Sequence, residues 1–340
     1  MTMQGWSRAG TSNQSMKREE EKTMIKYKEY KQLDGEIRNQ VSTVGEGLLR
    51  RFDKTPFPVS DADVVCPHFM LLAWANGCPY NCAWCYLKGT FRFYGQKPNG
   101  RIPMVFKQRE RIGKGISQFV ADKSLPPEII NTGELSDSLM DEGTREGLPF
   151  SEWIMQFFDG TQHKVLFLTK STNIQQFLKH EWQKNAILAW SVNSEEVAKK
   201  WELYAPTPQE RLAAAREARE AGYEVRLRID PMVPVLGWQD EYKALVDWIC
   251  KVEPSRVTLG CLRGLTTTLI YCKDKSWTVY LTEKSNWGKK PPFAERLMMY
   301  RAVGDQLESC GIEVGICKDT LSVWRKLGLD FRAIKCNCTW

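Results

Sequence analysis

The segment Gly77-Cys78-Pro79-Tyr80-Asn81-Cys82-Ala83-Trp84-Cys85-Tyr86-Leu87 constrains this chain more than any other. Its three cysteines follow C-x3-C-x2-C spacing, directly after the apolar run Phe69 to Ala75. Three thiolates in one tight loop can hold three irons of a [4Fe–4S] cube and leave the fourth open to chelate a small ligand. A structural zinc loop would need a fourth ligand, and its usual spacing is paired C-x2-4-C units. The strand expected before the loop and the aromatic Tyr86 after the third cysteine favour the cluster.

A βα rhythm runs on from Asp63. Strands are expected at Phe69–Ala75, Glu128–Thr132, Lys164–Thr169, Ala186–Ser191, Glu224–Ile229 and Arg256–Gly260, with helical patterns such as Ser151–Phe158, Asn173–Trp182 and Gln239–Val252 between them. The clearest helix is Thr207 to Ala221: Thr207 is a good N-cap, Pro208 suits the first helical position, Glu210 completes a capping box and Gly222 ends it. Six parallel strands with crossover helices imply an α/β fold, a partial (β/α)6 barrel of the TIM type, with functional residues at the C-terminal ends of the strands. The expected organisation is a flexible N-terminal arm and lead-in over 1–62, the barrel over 63–265, and a hairpin, helix and cysteine-rich tail over 266–340.

No apolar run approaches the roughly 20 residues that span a bilayer, so no membrane partner is expected. The polar N-terminus lacks a signal-peptide pattern, and eleven cysteines fit a reducing cytoplasm. A formal charge of +7 hints at a polyanionic partner. In the arm, the run Lys17 to Lys22 reads as a solvated tail, while Lys26, Lys28, Lys31 and Arg38 with Tyr27 and Tyr30 offer contacts to a phosphate backbone.

The strand ends carry groups suited to a zwitterionic nucleoside. Glu134, Ser136 and Asp137 offer acceptors for an ammonium, Lys170 a cation for a carboxylate, and Ser191 and Asn193 partners for ribose hydroxyls; Arg228 ends the fifth strand. Singly, each is as good a loop cap or surface group.

Cys-Pro-Tyr-Asn-Cys-Ala-Trp-Cys-Tyr-Leu, Leu168-Thr169-Lys170, Trp190 to Ser194, Pro206 to Arg211 with Ala221-Gly222-Tyr223, Pro231 with Gly237-Trp238, and Trp287 to Lys290 together resemble the spore photoproduct lyase family over roughly Val65 to Leu307. The resemblance implies a radical SAM enzyme with a partial barrel, in which Cys78, Cys82 and Cys85 bind the cluster. It places Tyr86, Ser136, Asp137, Lys170, Ser191 and Asn193 around S-adenosylmethionine (SAM); from their own positions at the strand ends Glu134 and Arg228 are expected beside them, and Tyr86, Glu134 and Arg263 at the chemistry. One electron through the cluster then cleaves SAM to a 5′-deoxyadenosyl radical. A reductant such as flavodoxin would supply that electron, and the protein is expected to act as a monomer on an extruded, modified thymine in DNA.

Two departures change the expected reaction. Glu134 stands where the lyase carries its hydrogen-donating cysteine, and Trp84 where it carries a tyrosine. Losing the thiol is least harmful to a rearrangement, in which the product radical recovers its hydrogen from 5′-deoxyadenosine. The leading expectation is therefore isomerisation of a 5-aminoacyl (glycyl-type) thymidine, as in bacteriophage pathways that hypermodify DNA, through hydrogen abstraction at the amino-acid Cα. The alternatives are photoproduct repair with another donor such as Cys261 or Tyr86, a non-catalytic iron–sulfur DNA-binding protein, and a peptide- or small-molecule-modifying enzyme.

The C-terminal third adds two signals. Leu269–Tyr271 and Thr278–Leu281 read as a hairpin whose surroundings, Arg263, Lys284, Lys289, Lys290, Trp277 and Trp287, form a basic and aromatic surface for DNA. Cys317, Cys336 and Cys338, with Cys310 or Cys261 as a fourth ligand, could hold an auxiliary iron–sulfur cluster; zinc, a redox pair or unconnected thiols are the alternatives. Cys250 and Cys272 read as structural.

Overall fold

A computed structural model describes residues 25–142 and 147–340. Its backbone is a ten-stranded open sheet whose strands, numbered here in chain order, lie side by side in that same order. Strands β4 (Phe69–Leu72), β5 (Ile129–Asn131), β6 (Lys164–Thr169), β7 (Ala186–Ser191), β8 (Glu224–Met232), β9 (Arg256–Cys261) and β10 (Glu313–Ile316) are all parallel. They curl into the expected partial barrel. The six expected strands are there, and β10 is a seventh, a four-residue element after Gly311 too short for its pattern to stand out.

The parallel strands are buried on both faces, so β6 and β7 read as near-continuous apolar runs, and the pleat decides which side chain goes where. Phe167, Leu188, Trp190, Leu227 and Leu259 face outward into the main core under the helices. Ile129, Leu166, Leu168, Ile187 and Ala189 form a separate inner cluster. Helix α1 (Arg109–Ala121) connects β4 to β5, α2 (Phe150–Phe158) β5 to β6, and α3 (Gln175–Lys179) β6 to β7. Helices α4 (Glu195–Trp201) and α5 (Pro208–Glu220) precede β8, and α6 (Trp238–Cys250) precedes β9. The capping box of α5 is formed as expected, Thr207 Oγ1 accepting from Glu210 N and the Glu210 carboxylate from Thr207 N.

The expected flexible arm is in part a structured extension of the sheet. Strands β1 (Ile25–Lys31), β2 (Ile37–Val44) and β3 (Leu49–Phe52) form an antiparallel meander that joins β4. Most of β1 is exposed, so it carries little apolar alternation, and the meander rather than burial defines it. The run Lys17 to Lys22 lies outside the described residues.

The expected hairpin around Lys273-Asp274-Lys275 is not formed. Thr266–Tyr271 is helix α7 and Ser276–Tyr280 a 3-10 turn, because Trp277 is driven fully into the core. The hairpin falls later, Glu283–Ser285 against Gly288–Lys290. Helix α8 (Phe293–Ser309) then leads to β10, and a disulfide joins Cys310 after α8 to Cys250 at the end of α6. That bond removes Cys310 from the candidate metal ligands. The segment before β4 is stitched to the segment after β10, with Val65 N donating to Asp319 O at 2.9 Å and Leu321 N to Asp63 O at 2.8 Å. Among the described residues no helix is long and apolar enough to cross a membrane.

Candidate active site

The cysteine loop leaves β4 at the C-terminal mouth of the barrel. Gly77 starts it at φ 89°, and a Cβ there would meet Pro103 O at 2.1 Å, so a side chain is excluded by both backbone conformation and space. Asn81–Cys82 then pairs with Glu202–Leu203, Cys82 opposite Glu202. Cys78, Cys82 and Cys85 are free thiols that line one cavity of about 670 Å³. Burial pushes all three thiols up, Cys82 to about 12, so thiolate character at neutral pH needs a bound metal. The donor set, three free thiols from one loop bordering open cavity space, fits a cluster with one iron left for a ligand.

The other predicted residues divide by what already occupies their polar atoms. Tyr86, Glu134, Ser136, Asp137, Lys170, Ser191, Arg228 and Arg263 all line the cavity. The Tyr86 hydroxyl donates to the main-chain oxygen of Glu134; burial first, and then the Glu134 charge, hold that phenol well above its ordinary value, so it stays protonated. The Glu134 carboxylate faces Lys318 Nζ at 3.9 Å. Asp137 is a brace between strand ends: it accepts from Thr169 Oγ1 at 2.6 Å, Lys170 N at 2.8 Å and Leu139 N at 3.0 Å.

Lys170 is not the free cation its place at a strand end suggests. It pairs with buried Glu202 at 3.4 Å, which also takes Arg211 at 2.6 Å. Burial works against the Lys170 charge, but Glu202 outweighs it and the ammonium is held above its ordinary value. Asn193 does not reach the cavity: it is fully buried, its amide donating to Pro231 O at 2.8 Å and accepting from Tyr242 Oη at 2.9 Å. It anchors the β7–β8 corner, and the expectation that it touches a ribose is corrected.

Arg263 forks onto Asp230 at 2.7 and 2.8 Å, and Arg228 lies 3.4 Å from the same carboxylate. Burial opposes the Asp230 charge, yet the two guanidiniums hold it below the usual carboxylate range.

The residues expected to meet DNA do not lie on one surface. Lys284 and Lys289 are exposed, and Trp287 lines the cavity, packed edge-on to Phe52. Lys290 is buried against Asp319 at 3.7 Å and donates to Lys318 O, and Trp277 is buried, so neither can meet a duplex. Sequence reasoning missed Lys318 and Glu202, and it missed Arg50 and Lys54, which join Lys28 and Tyr30, expected at a phosphate backbone, in a cavity wall supplied by the N-terminal segment. The alternation of basic and aromatic residues over 25–31 was the available signal for that wall; Glu202 and Lys318 had none, because their partners are distant in sequence.

Comparison with known proteins agrees with this architecture. A family model described as spore photoproduct lyase matches residues 67–270. The spore photoproduct lyase of a Geobacillus strain is 26% identical over 177 residues, covering 49% of this chain and 47% of its own, and that of Bacillus subtilis 23% over 194 residues, covering 55% and 52%. The chain thus spans about half the length of the curated relatives it matches. A solved spore photoproduct lyase complexed with dinucleoside spore photoproduct aligns at a TM-score of 0.60 and 18% identity over 73% of this chain and 76% of its own. A variant of it with bound AdoMet and the same dinucleoside gives 0.58 and 17% over the same shares.

Proposed function

This chain belongs to the spore photoproduct lyase family, and from that footing we propose that it is a radical SAM enzyme that isomerises a 5-aminoacyl (glycyl-type) thymine in DNA. Cys78, Cys82 and Cys85 would hold the [4Fe–4S] cluster and leave one iron for SAM. With both bound, the site supplies one-electron cleavage of SAM and a hydrogen-abstracting radical. The net reaction moves the base methylene from the amino-acid nitrogen to its Cα, with no change in mass.

One observation carries the choice of reaction. Among the described residues, the only thiols lining the cavity are the three loop cysteines, and the sequence resemblance sets Glu134 at the position of the family's hydrogen-donating cysteine. Cys261, weighed above as a substitute donor, is fully buried against Tyr300 and Asp319 and does not line it. A rearrangement that recovers its own hydrogen atom needs no such thiol.

The chain's own residues supply binding and exclusion of water. Glu134 is an acceptor for the adduct's amino group, held in place by Lys318. Asp230 fixes Arg263 and Arg228 as cations on the cavity wall. Trp287 and Phe52 offer an aromatic face for an extruded base, and Arg50, Lys54 and the exposed Lys284 offer cations for the flanking phosphates. A reductant such as flavodoxin completes the reading, with the protein working as a monomer in the cytoplasm.

A second reading, photoproduct cleavage, rests on Tyr86, whose protonated hydroxyl sits in the cavity as an alternative hydrogen donor. The test is anaerobic incubation of the reconstituted protein with SAM, reductant and DNA carrying either 5-glycylmethyl thymine or spore photoproduct, followed by nucleoside mass analysis. A product of unchanged mass and new retention from the first supports the isomerase. Two plain thymidines from the second, with no change in the first, overturn it in favour of cleavage.

A further inference from the structure

Below the cavity the barrel is plugged by the C-terminal tail, and the plug is built around sulfur. Cys66 just before β4, Cys317 just after β10, and Cys336 and Cys338 in the tail border one small void of about 10 Å³. All four are free thiols, and all but the half-buried Cys338 are buried. The Cys336 and Cys338 side chains hydrogen-bond each other.

Polar groups inside the barrel hold this turn in place, and the proposed reaction uses none of their contacts with it. Arg226 Nη1 donates to Asn337 O and Thr339 O, both at 2.8 Å. Thr258 Oγ1 donates to Asn337 Oδ1 at 2.8 Å and accepts from Asn337 N at 2.9 Å. Gly315 has no side chain because Lys335 O passes 2.1 Å from where its Cβ would stand. The sulfurs have donors of their own: Arg228 Nη2 lies 3.0 Å from Cys317 Sγ, and Asn131 Nδ2 lies 3.7 Å from Cys338 Sγ. Donors directed at sulfur are what thiolate ligands of a metal require from their surroundings.

We propose that Cys66, Cys317, Cys336 and Cys338 form a second, all-thiolate metal centre that anchors the C-terminal tail inside the barrel. Four thiolates with no histidine or carboxylate select a soft metal, a single zinc or an iron–sulfur cluster. Among the described residues no three His, Cys, Asp or Glu side chains already converge on one ion, and this is as true of Cys78, Cys82 and Cys85 as of the tail set. Loading either site therefore turns the thiols inward. Arg228 and Lys318 border both the tail void and the active-site cavity, and their charges offset the net negative charge of four thiolates on a divalent ion. The fourth ligand is Cys66, not Cys310, which is in a disulfide, nor Cys261, which faces Tyr300 and Asp319.

The inference does not depend on the proposed reaction and is tested without it. A full-length variant with Cys78, Cys82 and Cys85 all changed to Ala is purified anaerobically from cells supplied with iron and zinc, and its iron, zinc and acid-labile sulfide are measured. Retained iron with matching sulfide, or equimolar zinc without sulfide, supports the site and says which metal it takes. Adding Cys66→Ser to that background should remove the metal, whereas Cys261→Ser, at a buried thiol outside the site, should not. A cysteine-loop variant that folds by circular dichroism but carries no stoichiometric metal overturns the proposal. So does metal that survives Cys66→Ser, or a Cys336–Cys338 disulfide in the anaerobic protein.

Discussion

Two groups of cysteines sit in one barrel, one above the other, and they are built in opposite ways. Cys78, Cys82 and Cys85 come from one loop, share a cavity of about 670 Å³ and present three thiols to open space. Cys66, Cys317, Cys336 and Cys338 come from opposite ends of the chain and border a void of about 10 Å³ that their own side chains nearly close. Catalytic metal sites keep a coordination position open and structural ones close it. On the proposed reading of both groups, local ligand spacing builds a site that meets a ligand, while a site that anchors the tail draws on distant segments. Glu134, Arg228 and Lys318 border both cavities and form the layer between them.

The largest expected effect breaks the upper site alone. Cys82→Ala should abolish 5′-deoxyadenosine formation from SAM, measured chromatographically, while the chain still folds; residual SAM cleavage at the wild-type rate would remove the radical SAM reading altogether.

Next is the buried charge beneath the loop. Glu202→Gln leaves Lys170 and Arg211 without their shared carboxylate and should cost about 3–5 kcal/mol, read as a lower Tm. Burial opposes the Glu202 charge, but Lys170 and Arg211 outweigh it and hold its pKa below the ordinary value. Its stabilisation is therefore fully present above the unfolded carboxylate range near pH 4 and is lost as pH falls through the lower folded value. The wild type should lose stability over that acid window more steeply than Glu202→Gln does.

A smaller effect isolates the lower site. Gly315→Ala drives a methyl into Lys335 O and should cost about 1–3 kcal/mol, releasing the tail to limited proteolysis. SAM binding above should change little; equal damage to both would mean the two sites are one cooperative unit.

The smallest effect is at the mouth. Lys284→Ala removes one exposed cation, and the slope of log K against log salt for a DNA duplex should fall by about 0.9. An unchanged slope would take the hairpin out of the nucleic-acid surface.

The difference between the two cysteine groups also explains what was legible. The loop could be read directly, since its three ligands, the preceding strand and Tyr86 fall within one short stretch. The tail thiols could be noticed but not completed. Cys310 and Cys261 were nearer in sequence than Cys66, yet one is bonded to Cys250 and the other faces the Tyr300 side of the core. Trp277 and Lys290 were misplaced on the surface for a similar reason: a basic and aromatic pattern does not reveal that Asp319, on another element, will neutralise a lysine drawn inside.

By itself the sequence determined the parallel strands β4 to β9, the capped helix α5 and the three thiols of the cluster loop. Those features are set by short-range chemistry: apolar runs that must be buried on both faces, an N-cap three residues from its partner, ligands in one turn. Tertiary structure alone decided that 25–52 forms a wall of the cavity, that Lys170 answers to Glu202 while Asn193 is withdrawn into a corner, and that Cys66 meets the tail. Each of those depends on which strand edges and chain ends are brought together when the sheet curls. That is a property of the closed arrangement of elements, and no local stretch of sequence encodes it.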